Sequence, residues 1–270
     1  MPKLKILYVA SEIDPFLHTS KVAELVRKLP QAMQERGMEI RILVPRFGII
    51  NERKNRLHEV VRLSGINIAV GDEEKPLVIK VASIPNAKLQ VYFIDNEDYF
   101  HRKSVFFDKE NKFYEDNDER AIFFCKGTIE TVRKLGWAPD IIHCNDWMTS
   151  LIPMYIKTKY RNDPIFKSTK TIFTVYDNKC SHKFSSDVIN KIKSQDIDES
   201  HLSNLESADL EGFVKTGIEY ADVVIKTEEQ FTNGMNEVFS ELPKGKKVDT
   251  IEKSDNYLDS YFNLYNELFG

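Results

Sequence analysis

Residues 5–48, KILYVASEIDPFLHTSKVAELVRKLPQAMQERGMEIRILVPRFG, decide the fold. Ile6, Leu7, Tyr8, Val9 and Ala10 form an unbroken apolar run, partly β-branched, that suits a strand buried on both faces of a parallel sheet. From Lys21 the period changes. Val22, Leu25, Val26, Leu29 and Met33 fall on one helical face, Ser20 is placed to cap the first turn, and Glu24 sits near the positive end of the helix dipole. Pro30 is expected to kink this helix and Gly37 to end it. Ile40, Ile42, Leu43 and Val44 supply the next strand, closed by Pro45. The three pieces make a right-handed βαβ crossover, and in such a sheet the ligand crevice lies beyond the carboxyl ends of the strands, here at residues 12–20.

Working outward, 60–63, 66–70, 77–83 and 89–94 read as strands of a β-rich insertion, parted by Gly65, Gly71-Asp72 and Pro85-Asn86. Residues 95–113 are aromatic and charged, too long for a bare connection, and read as a surface lobe. A helix follows to Gly136, capped by Asp116 or Asn117, with Ala121, Phe124, Thr128, Ile129 and Val132 on its buried face. Strands at 141–144, 170–176 and 221–225 and helices at 151–160 and 210–220 continue the βα alternation. They place two more rim loops at 145–148 and 177–187.

The whole is an α/β fold, a Rossmann-like parallel sheet with helices on both faces over residues 1–240. Residues 241–256 have linker composition, and 257–269 form an amphipathic tail helix with Leu258, Tyr261, Phe262, Tyr265, Leu268 and Phe269 on its stripe. That stripe needs a surface. Docking back on this chain is the first reading, and a protein partner the second.

A net charge of −4 gives no reason to expect nucleic acid or an anionic membrane. No apolar run reaches the roughly 20 residues of a spanning helix, and the N-terminus carries no signal-peptide pattern, so a cytoplasmic protein is expected. Cys125, Cys144 and Cys180 are odd in number and lie in or beside apolar segments, which favours reduced thiols. Eleven glycines in 270 residues fall below the average of about 7%, so a glycine-rich phosphate loop is not expected.

The landmarks form a set: Lys5-Ile6-Leu7-Tyr8-Val9-Ala10-Ser11-Glu12 with Pro15-Phe16, Val44-Pro45-Arg46-Phe47-Gly48, Val91 to Asp95 with Tyr99-Phe100, and Asn117-Asp118-Glu119-Arg120. Gly136 to Cys144 with Asp146-Trp147, Phe173-Thr174-Val175, and Phe213 to Asp222 complete it. Over residues 4–230, in this order, the chain resembles the N-terminal catalytic half of bacterial glycogen synthases and plant starch synthases. The resemblance implies a GT-B architecture of two Rossmann-like domains. It also implies transfer of glucose from ADP-glucose to an α-1,4-glucan with retention of configuration. The first domain mainly holds the acceptor and the second most of the nucleotide. The second domain is expected to be missing from these 270 residues.

Departures from the family pattern are equally informative. The family's Lys-Thr-Gly-Gly turn, which approaches the donor diphosphate, is His18-Thr19-Ser20-Lys21 here, and a Cβ obstructs such an approach. His-x-His-Asp-Trp-His becomes His143, Cys144, Asn145, Asp146, Trp147, Met148. Thr-Ile-His-Asn becomes Thr174-Val175-Tyr176-Asp177, and Gly212 stands where the family has Asn.

The candidate substrate or acceptor contacts are therefore Glu12, His18, Tyr92, His143, Asn145, Asp146, Tyr176 and Lys215, with no catalytic residue, metal or cofactor assigned. Several carry a plain structural reading as well. His143 can be a buried imidazole satisfied by its neighbours, Tyr92 a core aromatic, and Trp147 core and not a sugar platform. Glu12 and Asp14 offer a carboxylate pair, but acid–base work also needs a donor held opposite. The expected function is a glycogen/starch synthase-like chain, α-glucan or ADP-glucose its ligand, inactive alone. The alternative is a non-catalytic glucan-binding or protein-interaction module from that family.

Overall fold

A computed structural model describes residues 3–177, 182–193, 197–231, 235–248, 250–251 and 256–270. β1 (Lys5–Val9) is buried from Ile6 onward. α1 (Lys21–Glu35) starts where Ser20 accepts the Val22 N–H at 3.2 Å, and it runs on through Pro30. Gly37, at φ +94°, turns the chain out of the helix. β2 (Glu39–Pro45) then pairs parallel with β1, Tyr8 opposite Ile42.

A short helix α2 (Glu52–Asn55) leads into the insertion. The strand expected at 60–63 is a turn, in which the Leu63 and Ser64 N–H groups donate to the Val60 carbonyl and Val61 stands 78% exposed. A residue in that position has no core to face, so the strand forms just before it as β3 (His58–Glu59). β4 (Ile66–Val70) and β5 (Glu73–Ser83) are an antiparallel hairpin, and β5 pairs antiparallel with β6 (Gln90–Asp95). Because β6 pairs parallel with β2, the insertion extends the main sheet.

After α3 (Glu97–Phe100) and an aromatic lobe come α4 (Asn117–Leu135), β7 (Ile141–Asn145) and α5 (Leu151–Lys157). The capping expected of Asp116 at α4 is replaced by a two-point ion pair with Arg102. β8 (Lys170–Val175), α6 (Val188–Ile192), a 3-10 segment Glu199–Ser207, α7 (Leu210–Tyr220) and β9 (Val223–Lys226) follow. The chain continues with α8 (Met235–Glu241), β10 (Lys247–Val248) and α9 (Tyr257–Phe269). Within the stretch read as linker, β10 adds a parallel strand beside β9.

The sheet order is β10-β9-β8-β7-β1-β2-β6-β5-β3. Alternation along β7 sends His143 to one face, under α9, and Cys144 to the other, beside Cys125 of α4. α9 lies next to α1. The Arg36 guanidinium donates to Asp259 at 2.5 Å and sits 5.1 Å above the Phe262 ring, while Tyr261 and Tyr265 are fully buried. The tail helix thus covers its own sheet. Cys125 and Cys144 are buried free thiols, and Cys180 lies outside the described residues.

Candidate functional site

At the carboxyl edge of the sheet, the loops behind β1, β7, β8 and β9 enclose, with the aromatic lobe, a cavity of about 890 Å³. Its apolar lining includes Val105, Phe106, Phe107, Phe113 and Trp147. Phe106 lies 5.1 Å from Trp147, and Phe113 stacks on His182 at 4.2 Å with the ring planes 5° apart. Burial lowers the affinity of His182 for a proton. The polar lining includes Glu12, Asp146, Tyr176, Asp177 and Glu228, with Lys21.

The lobe is held from beneath by Arg120. Its guanidinium is buried and donates from Nε to the Tyr99 carbonyl at 2.7 Å and from Nη1 to Asn117. It faces the rings of Phe47, Phe100, Phe106 and Tyr114 at 5.3–6.0 Å. This burial pulls its pKa down to about 10. A second tie runs from the Gly48 N–H to the Phe100 carbonyl at 2.6 Å. A Cβ on Gly48 would lie 2.3 Å from the Arg102 carbonyl, so only glycine permits this approach.

Asp146 follows β7 directly with φ +68°, which breaks the strand alternation and places the residue at the cavity lining. Oδ2 accepts the Ser11 N–H at 2.9 Å and Oδ1 the Met148 N–H at 2.8 Å, so one side chain ties the β1 loop to the β7 loop. Burial pushes its pKa up to about 7 against the pull of these donors. Glu12 is 3% exposed and closes its own loop, accepting the Thr19 N–H at 2.6 Å, the Thr19 hydroxyl at 2.8 Å and the Ser20 hydroxyl.

Of the eight residues singled out from sequence, Glu12, Asp146 and Tyr176 line the cavity. His143 does not reach it: Nδ1 meets the Tyr265 hydroxyl and Nε2 the Thr174 hydroxyl, both at 2.7 Å. Asn145, two residues on, shares that face, and its Nδ2 donates to the His143 carbonyl at 3.2 Å. Tyr92 sits in mid-strand on β6, where Arg41 donates to its hydroxyl at 3.3 Å. Lys215 pairs with Glu211 one helical turn earlier on α7, at 2.8 Å. His18 is half exposed, 3.7 Å from both Asp14 and Glu24. Sequence reasoning left out Phe106, Phe113 and His182; the aromatic density of 95–113 was the signal for the first two. Trp147, expected as core, is 5% exposed yet borders the cavity.

The starch synthase catalytic domain family matches residues 5–243. The glycogen synthase of Chlorobium luteolum is 39% identical over 224 residues, 83% of this chain and 45% of that protein. That of Chlorobium limicola is 38% identical over a stretch of the same length. This chain belongs to the starch synthase catalytic domain family. It spans about half the length of the curated relatives it matches. The structure of the catalytic domain of starch synthase IV from Arabidopsis thaliana, bound to ADP and acarbose, superposes with a TM-score of 0.71 at 17% identity. It covers 98% of this chain and 50% of that one, a likeness that shows the shared GT-B fold.

Within the family frame, Gly212 now has a physical account. A Cβ there would lie 2.3 Å from the Asn204 carbonyl and 2.6 Å from the Ser207 hydroxyl, so the 3-10 segment packs where a side chain would stand. Among the described residues no group of His, Cys, Asp and Glu could hold a metal ion, and no helix is long and apolar enough to cross a membrane.

Proposed function

We propose that the cavity is an α-1,4-glucan site of the glycogen/starch synthase type, and that these 270 residues alone bind glucan without transferring glucose. The observation that carries this is that one cavity is lined both by aromatic rings, Trp147 and Phe106 among them, and by the carboxyl groups of Glu12, Asp146, Asp177 and Glu228. Sugar rings present apolar C–H faces to aromatic rings and, at the ring edge, hydroxyl donors to carboxylates, so the lining offers a partner to both parts of a glucosyl unit.

Transfer makes a further demand, stabilisation of a departing diphosphate. Among the described residues lining this cavity the only Lys or Arg is Lys21, and it is paired with Glu228 at 3.1 Å. The family reaction, glucosyl transfer from ADP-glucose, then requires groups that a donor-binding domain would bring. A protein partner for 257–269 has weaker support, because Tyr261 and Tyr265 are occupied within this chain. A cytoplasmic location and a boundary near residue 240 belong to the same proposal.

The test is a pair of assays on the 270-residue protein: calorimetric titration with maltooligosaccharides, and incubation with radiolabelled ADP-glucose and glycogen. Saturable binding without incorporation is the expected result. Incorporation above the no-protein blank, or no binding at millimolar oligosaccharide, contradicts it.

A further inference from the structure

We propose that the loop 18–21 is neutralised from within, internal carboxylates occupying the donor positions an external phosphate would need, so that the cavity admits uncharged oligosaccharide and rejects nucleoside diphosphates. This rests on reading the cavity as a glucan site and adds its selectivity.

Each side chain of the loop faces a carboxylate of this chain. His18 stands between Asp14 and Glu24, 3.7 Å from each. Thr19 gives both its N–H and its hydroxyl to Glu12, at 2.6 and 2.8 Å, and the Ser20 hydroxyl goes to the other Glu12 oxygen. Lys21 reaches Glu228 at 3.1 Å. The N-terminal end of a helix attracts anions, and α1 begins here, but Glu12 already lies against this end as a built-in anion. Ser20 also takes the Val22 N–H, one of the helix donors that a phosphate would use.

The wider lining agrees. Glu12, Asp177 and Glu228 border the cavity, with the partly protonated Asp146 beside them, and among the described lining residues Lys21 supplies the single ammonium. A diphosphate entering this field meets like charge in a partly desolvated space, where repulsion is weakly screened. A neutral glucan carries no charge for that field to repel. Charge therefore separates a neutral glucan from a nucleoside diphosphate, and it does so through residues 12, 18–21 and 228.

The experiment is calorimetry on the full chain with maltohexaose and, separately, ADP, for the wild type and the Glu228→Lys variant. Glu228 lies beyond the carboxyl end of β9 with its side chain 34% exposed, so the change is made at the surface. The wild type is expected to bind maltohexaose at least about tenfold more tightly than ADP, and E228K is expected to shift that ratio toward ADP by about tenfold. Glu12→Gln, which removes the charge and keeps one accepting oxygen for Thr19 while its amide NH2 meets the Ser20 hydroxyl, is expected to shift it in the same direction. ADP bound as tightly as maltohexaose by the wild type overturns the exclusion and leaves the glucan reading standing. A ratio that neither variant moves overturns the charge account. Absence of maltohexaose binding overturns both this inference and the reading beneath it.

Discussion

The hydroxyl of Tyr265 lies 2.7 Å from Nδ1 of His143 and 3.1 Å from the hydroxyl of Tyr8. Through the imidazole the chain of hydrogen bonds continues to Thr174, 2.7 Å from Nε2. It joins α9 to β1, β7 and β8 in a space from which water is excluded, since Tyr8, His143, Thr174 and Tyr265 are all fully buried. Removing one hydroxyl leaves two buried partners short of a bond. Tyr265→Phe is expected to cost about 1–3 kcal/mol, read as a lower urea midpoint at unchanged slope. A midpoint equal to that of the wild type would show that α9 is held by its apolar contacts alone.

Two buried groups make opposing demands on pH. His143 falls from 6.5 to about 3 because burial disfavours the imidazolium. Between those values the unfolded chain binds the extra proton, so stability drops as pH falls from 6.5 toward 3. Asp146 rises from 3.8 to about 7. There the folded chain keeps the proton, so that contribution is fully present below 3.8 and is lost as pH rises through 7. From about 4 to 6.5 the two slopes, each up to about 1.4 kcal/mol per pH unit, oppose one another. Asp146→Asn removes one of them. Its stability is expected to fall more steeply on acidification than that of the wild type, measured by urea unfolding across this window. Parallel curves would contradict the opposed titrations. The height of the curve also drops, because Asn accepts with one oxygen where Asp146 accepts with two, but the slope is the readout.

Gly212 ties a family departure to local packing. The carbonyl of Asn204 occupies the space that a Cβ at 212 would need. Gly212→Asn, the family's residue, is therefore expected to destabilise the protein by about 1–3 kcal/mol through overpacking, seen as a lower thermal midpoint. An unchanged midpoint would mean that the 3-10 segment Glu199–Ser207 moves aside freely.

These cases show what the sequence could carry. The βαβ unit was legible because apolar periodicity, Ser20 and Gly37 agree on where α1 starts and stops, and α7 and α9 were legible from their apolar periodicity. The rim loops were legible from strand order alone. Which side chains enter the cavity was not. His143 and Asn145 alternate toward α9, a helix more than a hundred residues later in the chain, whereas Asp146 escapes the alternation through a positive φ that no pattern announces. Tyr92 belongs to the family's landmarks but stands in mid-strand, away from the rim. The aromatic lining depends on Arg120, whose burial under four rings only the tertiary fold produces.

The central claim, that glucan occupies the cavity lined by aromatic rings and carboxyl groups, is tested most directly through Trp147. The chain has two tryptophans, and Trp137 is distant from the cavity, its indole N–H on Glu39 at 2.5 Å. In a Trp137→Phe variant the remaining indole fluorescence reports on the cavity alone. Titration with maltohexaose is expected to give a saturable change in its intensity or wavelength, abolished by Phe106→Ala. Emission that stays constant to millimolar maltohexaose would contradict the account.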